Sequence, residues 1–391
     1  MGTEAAKETE LDAEYFEVWR TGPDALSGRF LRRFWHPVYR SQDLQAGHAV
    51  PIRILSEQLT LYRGEGADGS AHVVAFRCAH RGAQLSIGSV EDDCLRCMYH
   101  GWKYASDGQC VEQPREDPDF AARVRIAAYP TREYLGLVWG YFGEGDPPLL
   151  ERHADFEGPG ILDLEDPEYW PCNFFNRIDN ACDMGHVAFT HAEALRRSGG
   201  DPRYSATREW FSEETNYGIR TTVTFPDKEP EYFHYHMPIA NQNSESASLH
   251  RGGVDSTESR NRRISWRVPV DDYSTVSFSV NLMQLMPEEL DAYRERRRKV
   301  ATVDPPAIAE AILAGMLRER DLDNGIPRPA LFSVEDYLTQ VGQGPIAPRE
   351  RDRLGKTDQG LILLRKIWER ELRAVAAGRP LKAWMPKTTS D

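Results

Sequence analysis

Two short segments carry the first reactive side chains: Cys-Ala-His-Arg-Gly at 78–82 and Cys-Met-Tyr-His-Gly at 97–101. Each offers one thiolate and one imidazole, Cys78 with His80 and Cys97 with His100, close enough for a tight loop to aim both at one centre. Four such ligands suit tetrahedral zinc. They also suit a [2Fe–2S] cluster with two Cys on one iron and two His on the other, a ligation that raises the potential above that of an all-cysteine cluster. Zinc fingers pair Cys with Cys and His with His, whereas here each segment holds one of each, so the iron–sulfur cluster is the expected reading. Cys94 is not expected to be a ligand, because its distance to His100 is too long for the two-residue loop. Tyr99 and Trp102 are expected either to shield the centre from water or simply to pack.

A second group follows in Asn180-Ala-Cys-Asp183-Met-Gly-His186-Val-Ala-Phe-Thr-His191. Two imidazoles and a carboxylate form the facial triad of ferrous oxygenases, with positions left open for dioxygen and substrate. Histidines on a helix also serve as buried polar packing, and the spacing leaves that alternative standing. On a helix, the five-residue step sets His186 and His191 roughly 140° apart. Joint ligation therefore requires a local distortion such as a π-bulge. Asp183, three residues before His186, is placed to accept the second ring N–H. The pattern Gly64-x-Gly66-x-x-Gly69 lies between strand-like runs with no helix behind it, so it reads as a turn and not a dinucleotide fingerprint.

The elements around these groups can be read coarsely. Amphipathic pieces are expected at 15–19 and 30–34, and short strands at 50–55, 59–62, 72–76 and 137–142. A Gly-, Pro- and acid-rich linker is expected over 143–168, a strand at 169–176 and a helix over 177–194. A hairpin at 210–225, a polar loop at 241–262 and an alternating strand at 275–282 follow. The C-terminal third reads as helical, with Thr357 as an N-cap and an apolar stripe of Leu361, Leu364, Trp368, Leu372 and Val375. The chain has 391 residues, 40% of them apolar, 28% charged, 30 Gly and 25 Pro, which is a globular composition with room for about two domains. A net charge of −13 argues against nucleic acid. No apolar run is long enough to span a membrane and no secretory signal is visible, so a cytoplasmic location is expected. Six cysteines, three of them within 78–97, suit metal binding better than a disulfide scaffold.

Taken in this order, the two motifs resemble the oxygenase (alpha) component of the Rieske non-haem iron aromatic-ring oxygenases. The resemblance covers nearly the whole chain and is carried by residues 28–37, 179–191, 334–345 and 354–384. It is closest to the phthalate-dioxygenase-type branch, which includes vanillate and 5,5′-dehydrodivanillate O-demethylases. Ala83 and Met98 stand where high-potential respiratory Rieske proteins carry a further cysteine pair. The resemblance implies an α+β fold: a small antiparallel β Rieske domain at 36–150 and a catalytic domain at 151–391 with an antiparallel sheet flanked by helices (helix-grip-like). Residues 1–35 would form a helical segment packed on the catalytic domain.

By position, Cys78, His80, Cys97 and His100 would hold the [2Fe–2S] cluster, and His186, His191 and Asp336 the mononuclear Fe(II), with Glu335 as the competing neighbour. Asp183 and Asn180 would be the catalytic residues. Asp183 would bridge His186 to His100 of a neighbouring subunit, which implies a head-to-tail homotrimer or a multiple of trimers. Asp179 stands where many relatives have Glu, with little consequence expected. The implied activity uses O2 and electrons from NAD(P)H, delivered by a separate reductase with or without a ferredoxin, to oxidise a small aromatic substrate. O-demethylation of a methoxylated aromatic acid is the leading expectation. Cis-dihydroxylation and N-demethylation are the alternatives, and a Rieske electron carrier with a binding domain is the non-enzyme one. Arg196, Arg197, Arg220 and Arg251 are the candidates for holding a substrate carboxylate.

Overall fold

The computed structural model describes residues 17–65, 69–197, 208–226, 229–243, 262–285, 289–322 and 325–387. Its contacts divide into two compact units, one of residues 20–151 with 268–271, the other containing 17–19, 152–267 and 272–391.

The first unit begins with a short helix, α1 (Leu26–Leu31), followed by β1 (Trp35–Arg40), β2 (Ala49–Ile54), β3 (Glu57–Arg63) and β4 (Ala71–Ala75). Four very short strands follow: β5 (Ser89–Glu91), β6 (Cys94–Arg96), β7 (Lys103–Tyr104) and β8 (Cys110–Glu112). β9 (Ala128–Tyr129), β10 (Thr131–Tyr134) and β11 (Leu137–Tyr141) complete the unit. They form three antiparallel sheets, ordered β1-β11-β10, β2-β3-β4-β9 and β5-β6-β7-β8. Tyr62, Val74, Leu85, Leu95 and Tyr104 pack into a core with Cys78 and Cys97. The sequence assigns residues 1–35 to the other unit, yet 20–35 belong here. Phe30 and Leu31 are buried, and Arg32 donates to Leu55 O at 2.7 Å and Thr21 O at 2.8 Å, tying α1 to the turn after β2.

In the second unit, β12 (Ile161–Leu164) and β13 (Glu168–Trp170) precede three helices, α2 (Phe174–Ala181), α3 (Val187–Thr190) and α4 (Ala192–Arg197). Then come β14 (Glu209–Glu214), β15 (Gly218–Thr224), β16 (Glu231–His236), β17 (Ala240–Asn243), β18 (Arg262–Asp271) and β19 (Ser274–Met283). The chain ends in α5 (Leu290–Ala301), α6 (Pro305–Leu313), α7 (Arg328–Gly342) and α8 (Gln359–Ala376). The strands make one sheet ordered β12-β19-β18-β17-β16-β15-β14, with β13 also on β19. The expected stripe on α8 is buried throughout, and Trp368 lies against Phe174 and Phe175 of α2 at 5.8 and 5.1 Å between ring centroids.

Several local expectations change. The expected linker contains β12, because Ile161 to Leu164 pair with β19. The strand expected at 169–176 stops at Trp170, since the Asn173 side chain accepts the Phe175 N–H at 2.9 Å and starts α2. Thr357 does not cap α8. It sits inside a single tight turn (Lys356–Asp358) closed by the Asp358 carboxylate on the Gly355 N–H. The hairpin at 210–225 forms as β14 and β15, with Thr215 Oγ1 accepting the Tyr217 and Gly218 N–H groups. Positions 15–16, Gly66, Arg251 and the loop at 244–261 lie outside the described residues.

Candidate metal centres

The two Cys/His segments fold into matching loops. Gly82 N–H donates to Cys78 O at 2.9 Å and Gly101 N–H to Cys97 O at 3.0 Å. Cys78 N–H and Cys97 N–H each close the far side at 2.8 Å, onto Ala83 O and Trp102 O. Both glycines take the left-handed conformation, φ +72° and +75°, which a side chain would strain. At Gly101 a Cβ would also come within 3.2 Å of Pro114. Each loop thereby turns its thiol inward and its imidazole toward the tip. The Cys78 and Cys97 thiols are buried in the same core, and the His80 and His100 rings lie 4.4 Å apart.

Among the polar atoms of these loops, His80 Nδ1 is buried with no hydrogen-bond partner. A ligated iron would satisfy that atom, and two thiols facing two imidazoles are the donor set of a [2Fe–2S] cluster with mixed ligation. Trp102 stacks on His80 at 4.5 Å and 10° and is buried, so it covers the centre from within. Tyr99 is exposed and lies beside His100 instead. Tyr104, to which the sequence reading gave no role, accepts the Ala79 N–H at 3.2 Å, which leaves its own proton for Cys78 Sγ at 3.1 Å. Hydrogen bonds to cluster sulfurs tune reduction potential.

The second group sits where the helix breaks. Instead of a continuous helix with a π-bulge, α2 ends at Ala181, because Asp183 Oδ1 accepts the Gly185 N–H at 2.7 Å and competes with the helical pattern. The chain re-enters as α3 and α4, which brings the His186 and His191 rings to 5.4 Å. Asp336 joins them from α7, and one donor atom from each of the three lies within 4.8 Å of the others. His191 Nε2 is 3.6 Å from Asp336 Oδ1. Asn180 Nδ2 donates to the same oxygen at 3.3 Å and Gln340 Nε2 at 3.0 Å, fixing the rotation of the carboxylate.

Glu335 has a different task. Its Oε2 takes His191 Nδ1 at 2.9 Å and its Oε1 the Ala194 N–H at 3.0 Å, with Glu335 1% exposed. Adjacent residues on a helix diverge by about 100°, so Glu335 and Asp336 reach opposite nitrogens of one imidazole. The ring is thereby held with Nε2 toward Asp336, the usual way an outer carboxylate orients a metal-ligating histidine. Glu335→Gln is expected to lower affinity for the mononuclear iron by roughly 10–100-fold with cluster content unchanged. Iron retention during dialysis against a chelator measures this, and wild-type retention would reduce Glu335 to a packing residue.

Asp183 Oδ2 lies 3.7 Å from His186 Nδ1. Burial works against charge on both groups, but their pairing, with Asp336 also acting on His186, holds the imidazole above its ordinary pKa and Asp183 below the carboxylate range. Asp179, expected to matter little, anchors the end of α2 by accepting Arg349 Nε at 3.0 Å and Arg365 Nη2 at 2.8 Å. The expected carboxylate binders are engaged elsewhere. Arg196 and Arg197 pair with Glu193, and Arg220 pairs with Glu213.

Comparison with known proteins settles what these centres belong to. The family described as Rieske [2Fe-2S] domain matches residues 34–130. Over 93% of its length the chain is 27% identical to the 5,5′-dehydrodivanillate O-demethylase oxygenase subunit of Sphingobium sp., covering 81% of that protein. The chain is a Rieske oxygenase. This Rieske oxygenase is also 29% identical to the tert-butanol monooxygenase / tert-amyl alcohol desaturase oxygenase subunit of Aquincola tertiaricarbonis, over 93% of the chain and 76% of that protein. Its fold is shared with NdmA of Pseudomonas putida CBB5, at TM-score 0.67 and 21% identity over 92% of this chain and 98% of that one. Its cofactors are a [2Fe–2S] cluster and a mononuclear iron. Among the described residues of the oxygenase, no helix is long and apolar enough to cross a membrane.

Proposed function

We propose that this terminal oxygenase O-demethylates a methoxylated aromatic acid, with electrons from NAD(P)H passed through a separate reductase. The observation that carries the reading is the likeness, along nearly the whole chain, to an oxygenase subunit whose name specifies O-demethylation of an aromatic compound. In this reading Cys78, His80, Cys97 and His100 hold the cluster, and His186, His191 and Asp336 hold the ferrous ion. When bound, the two centres supply electron storage and dioxygen activation.

The chain's own groups do the positioning. Glu335 fixes the His191 tautomer, while Asn180 and Gln340 orient Asp336. Asp183 holds His186 from its other side. His100 stands at an exposed loop tip, and Asp183 keeps 28% of its side chain accessible, so each is available to a second copy of the chain. A ring of copies, each presenting His100 to the next one's Asp183, gives a head-to-tail trimer, the closed form of a heterologous interface. Per turnover, NADH, a proton and dioxygen convert the methyl ether to a hemiacetal and water. The hemiacetal collapses to a phenol and formaldehyde.

The test incubates the protein, a Rieske-type reductase and NADH with methoxybenzoates, phthalates and biaryl acids. Formaldehyde equimolar with the demethylated phenol is expected. A cis-diol without formaldehyde, or no product from any of the acids, would overturn the demethylation reading.

A further inference from the structure

Beyond the metal-binding groups, two arginines of the second unit bury guanidinium nitrogens that no hydrogen-bond acceptor meets. Strand β18 sets Arg263, Ser265 and Arg267 at alternate positions, and hence on one face. Arg263 is well compensated, donating to Glu165 at 2.9 and 3.2 Å and to Ser279 Oγ at 2.9 Å. Arg267 is not. Among the described residues no carboxylate lies within ion-pair distance of it, and its Nε and Nη1 are buried without a hydrogen-bond acceptor.

Arg177, on α2, likewise has guanidinium nitrogens without an acceptor, although one carboxylate lies at the edge of ion-pair distance. It is 3% exposed, with its guanidinium centred 3.3 Å over the Trp170 ring. Its nearest carboxylate oxygen, Glu168 Oε2, stands 3.8 Å from Nη2, and the other oxygen of Glu168 takes the Ser333 hydroxyl. Nε and Nη1 of Arg177 have no acceptor.

The two arginines share one neighbourhood. Burial lowers the pKa of Arg267 to about 9, and Arg177 and Arg263 push it the same way against Glu168 and Asp336. Arg177 also sits three residues before Asn180, on the same face of α2 and about 4.5 Å along its axis. Asn180 in turn touches Asp336. Three guanidinium groups therefore face Glu165, Glu168 and Asp336, and Asp336 is taken up by the ferrous ion in the reading above. Buried cationic donors without acceptors are costly, and a planar fork of N–H groups matches a carboxylate in both charge and shape.

We propose that Arg177 and Arg267 form an anion subsite beside His186, His191 and Asp336 that receives the carboxylate of the substrate. The inference rests on the proposed demethylation of an aromatic acid and assigns that acid's carboxylate to these two side chains. An arene bound there would be anchored at its acidic end on α2 and β18, with its far edge directed to the mononuclear centre. Specificity then comes from these two charges and not from Arg196, Arg197 or Arg220.

The test titrates the holoenzyme, without reductant, with 3-methoxybenzoate and with 3-methoxybenzamide, and reads binding by calorimetry. The acid is expected to bind at least about tenfold more tightly than the amide, an ordinary margin for a charged pair. R267Q and R177Q should each weaken acid binding by about 10–100-fold and leave amide binding unchanged, with iron content and cluster spectrum intact. R267K should recover part of the preference, because charge returns without the fork. If R177Q does not fold, R267Q alone carries the test. Equal binding of acid and amide by the wild type, binding of neither, or a preference that survives in R267Q would each overturn the subsite. A protein that binds acid and amide equally yet still releases formaldehyde refutes the subsite and spares the demethylation. A retained charge preference with no formaldehyde does the reverse.

Discussion

His186→Ala is expected to abolish turnover while the protein keeps the visible spectrum of its cluster. His186 lies in the interruption between α2 and α3, supported by Asp183, and its ring converges with the His191 ring and the Asp336 carboxylate. In the proposed assignment its removal takes away a direct ligand, so the loss should exceed the roughly 10–100-fold that follows when an outer-shell partner is removed. Iron analysis should fall from about three atoms per chain to about two, the cluster's complement. Asp336→Ala should behave the same way, and Glu335→Gln more mildly. Should H186A retain both its third iron and its formaldehyde release, the mononuclear centre lies elsewhere in the chain.

Cys97→Ala is expected to remove the other centre altogether. Cys97 is buried and its backbone closes the loop at both ends, through Trp102 O and the Gly101 N–H. In the proposed assignment, one iron loses half its protein ligands without this thiolate. The cluster should be absent, iron should drop to about one atom per chain, and electron entry should cease. The first unit should also melt at a lower temperature, since ligation that exists only in the folded state contributes directly to folding. Cys94→Ala is the matched control. Cys94 belongs to β6, paired across from Glu91, and its loss should leave the spectrum unchanged. A bleached C94A with a coloured C97A would reverse the ligand choice.

What was legible in the sequence was whatever the chain writes locally. The proposed cluster ligands are separated by one or two residues within each segment and a glycine ends each loop, so residue type and spacing nearly define the loop geometry. His186, His191 and Asp183 were visible for the same reason. The break that unites the two histidines was legible only as a requirement, because its cause, a side-chain bond from Asp183 to Gly185, competes with helix at a level that spacing does not encode. Glu335 and Asp336 could not be told apart until the rotation of α7 was known. The buried arginines were invisible from the start. Arg267 sits in an alternating strand whose polar face would ordinarily be read as solvent-facing, yet its Nε and Nη1 are buried. Arg196, Arg197 and Arg220, the arginines that sequence alone offers, are instead paired with Glu193 and Glu213.

The adjacency of Glu335 and Asp336 also limits how this scaffold can be re-engineered. Both acids act on one imidazole from successive positions, so α7 works like a key with two teeth cut at a fixed angle. The segment just after Gly342 is tied to α2, where Pro345 O accepts the Asn173 N–H at 2.7 Å and Arg349 pairs with Asp179, so an insertion there strains that tie. A single residue inserted between the helix start and Glu335 would instead rotate both teeth out of the lock by about 100°.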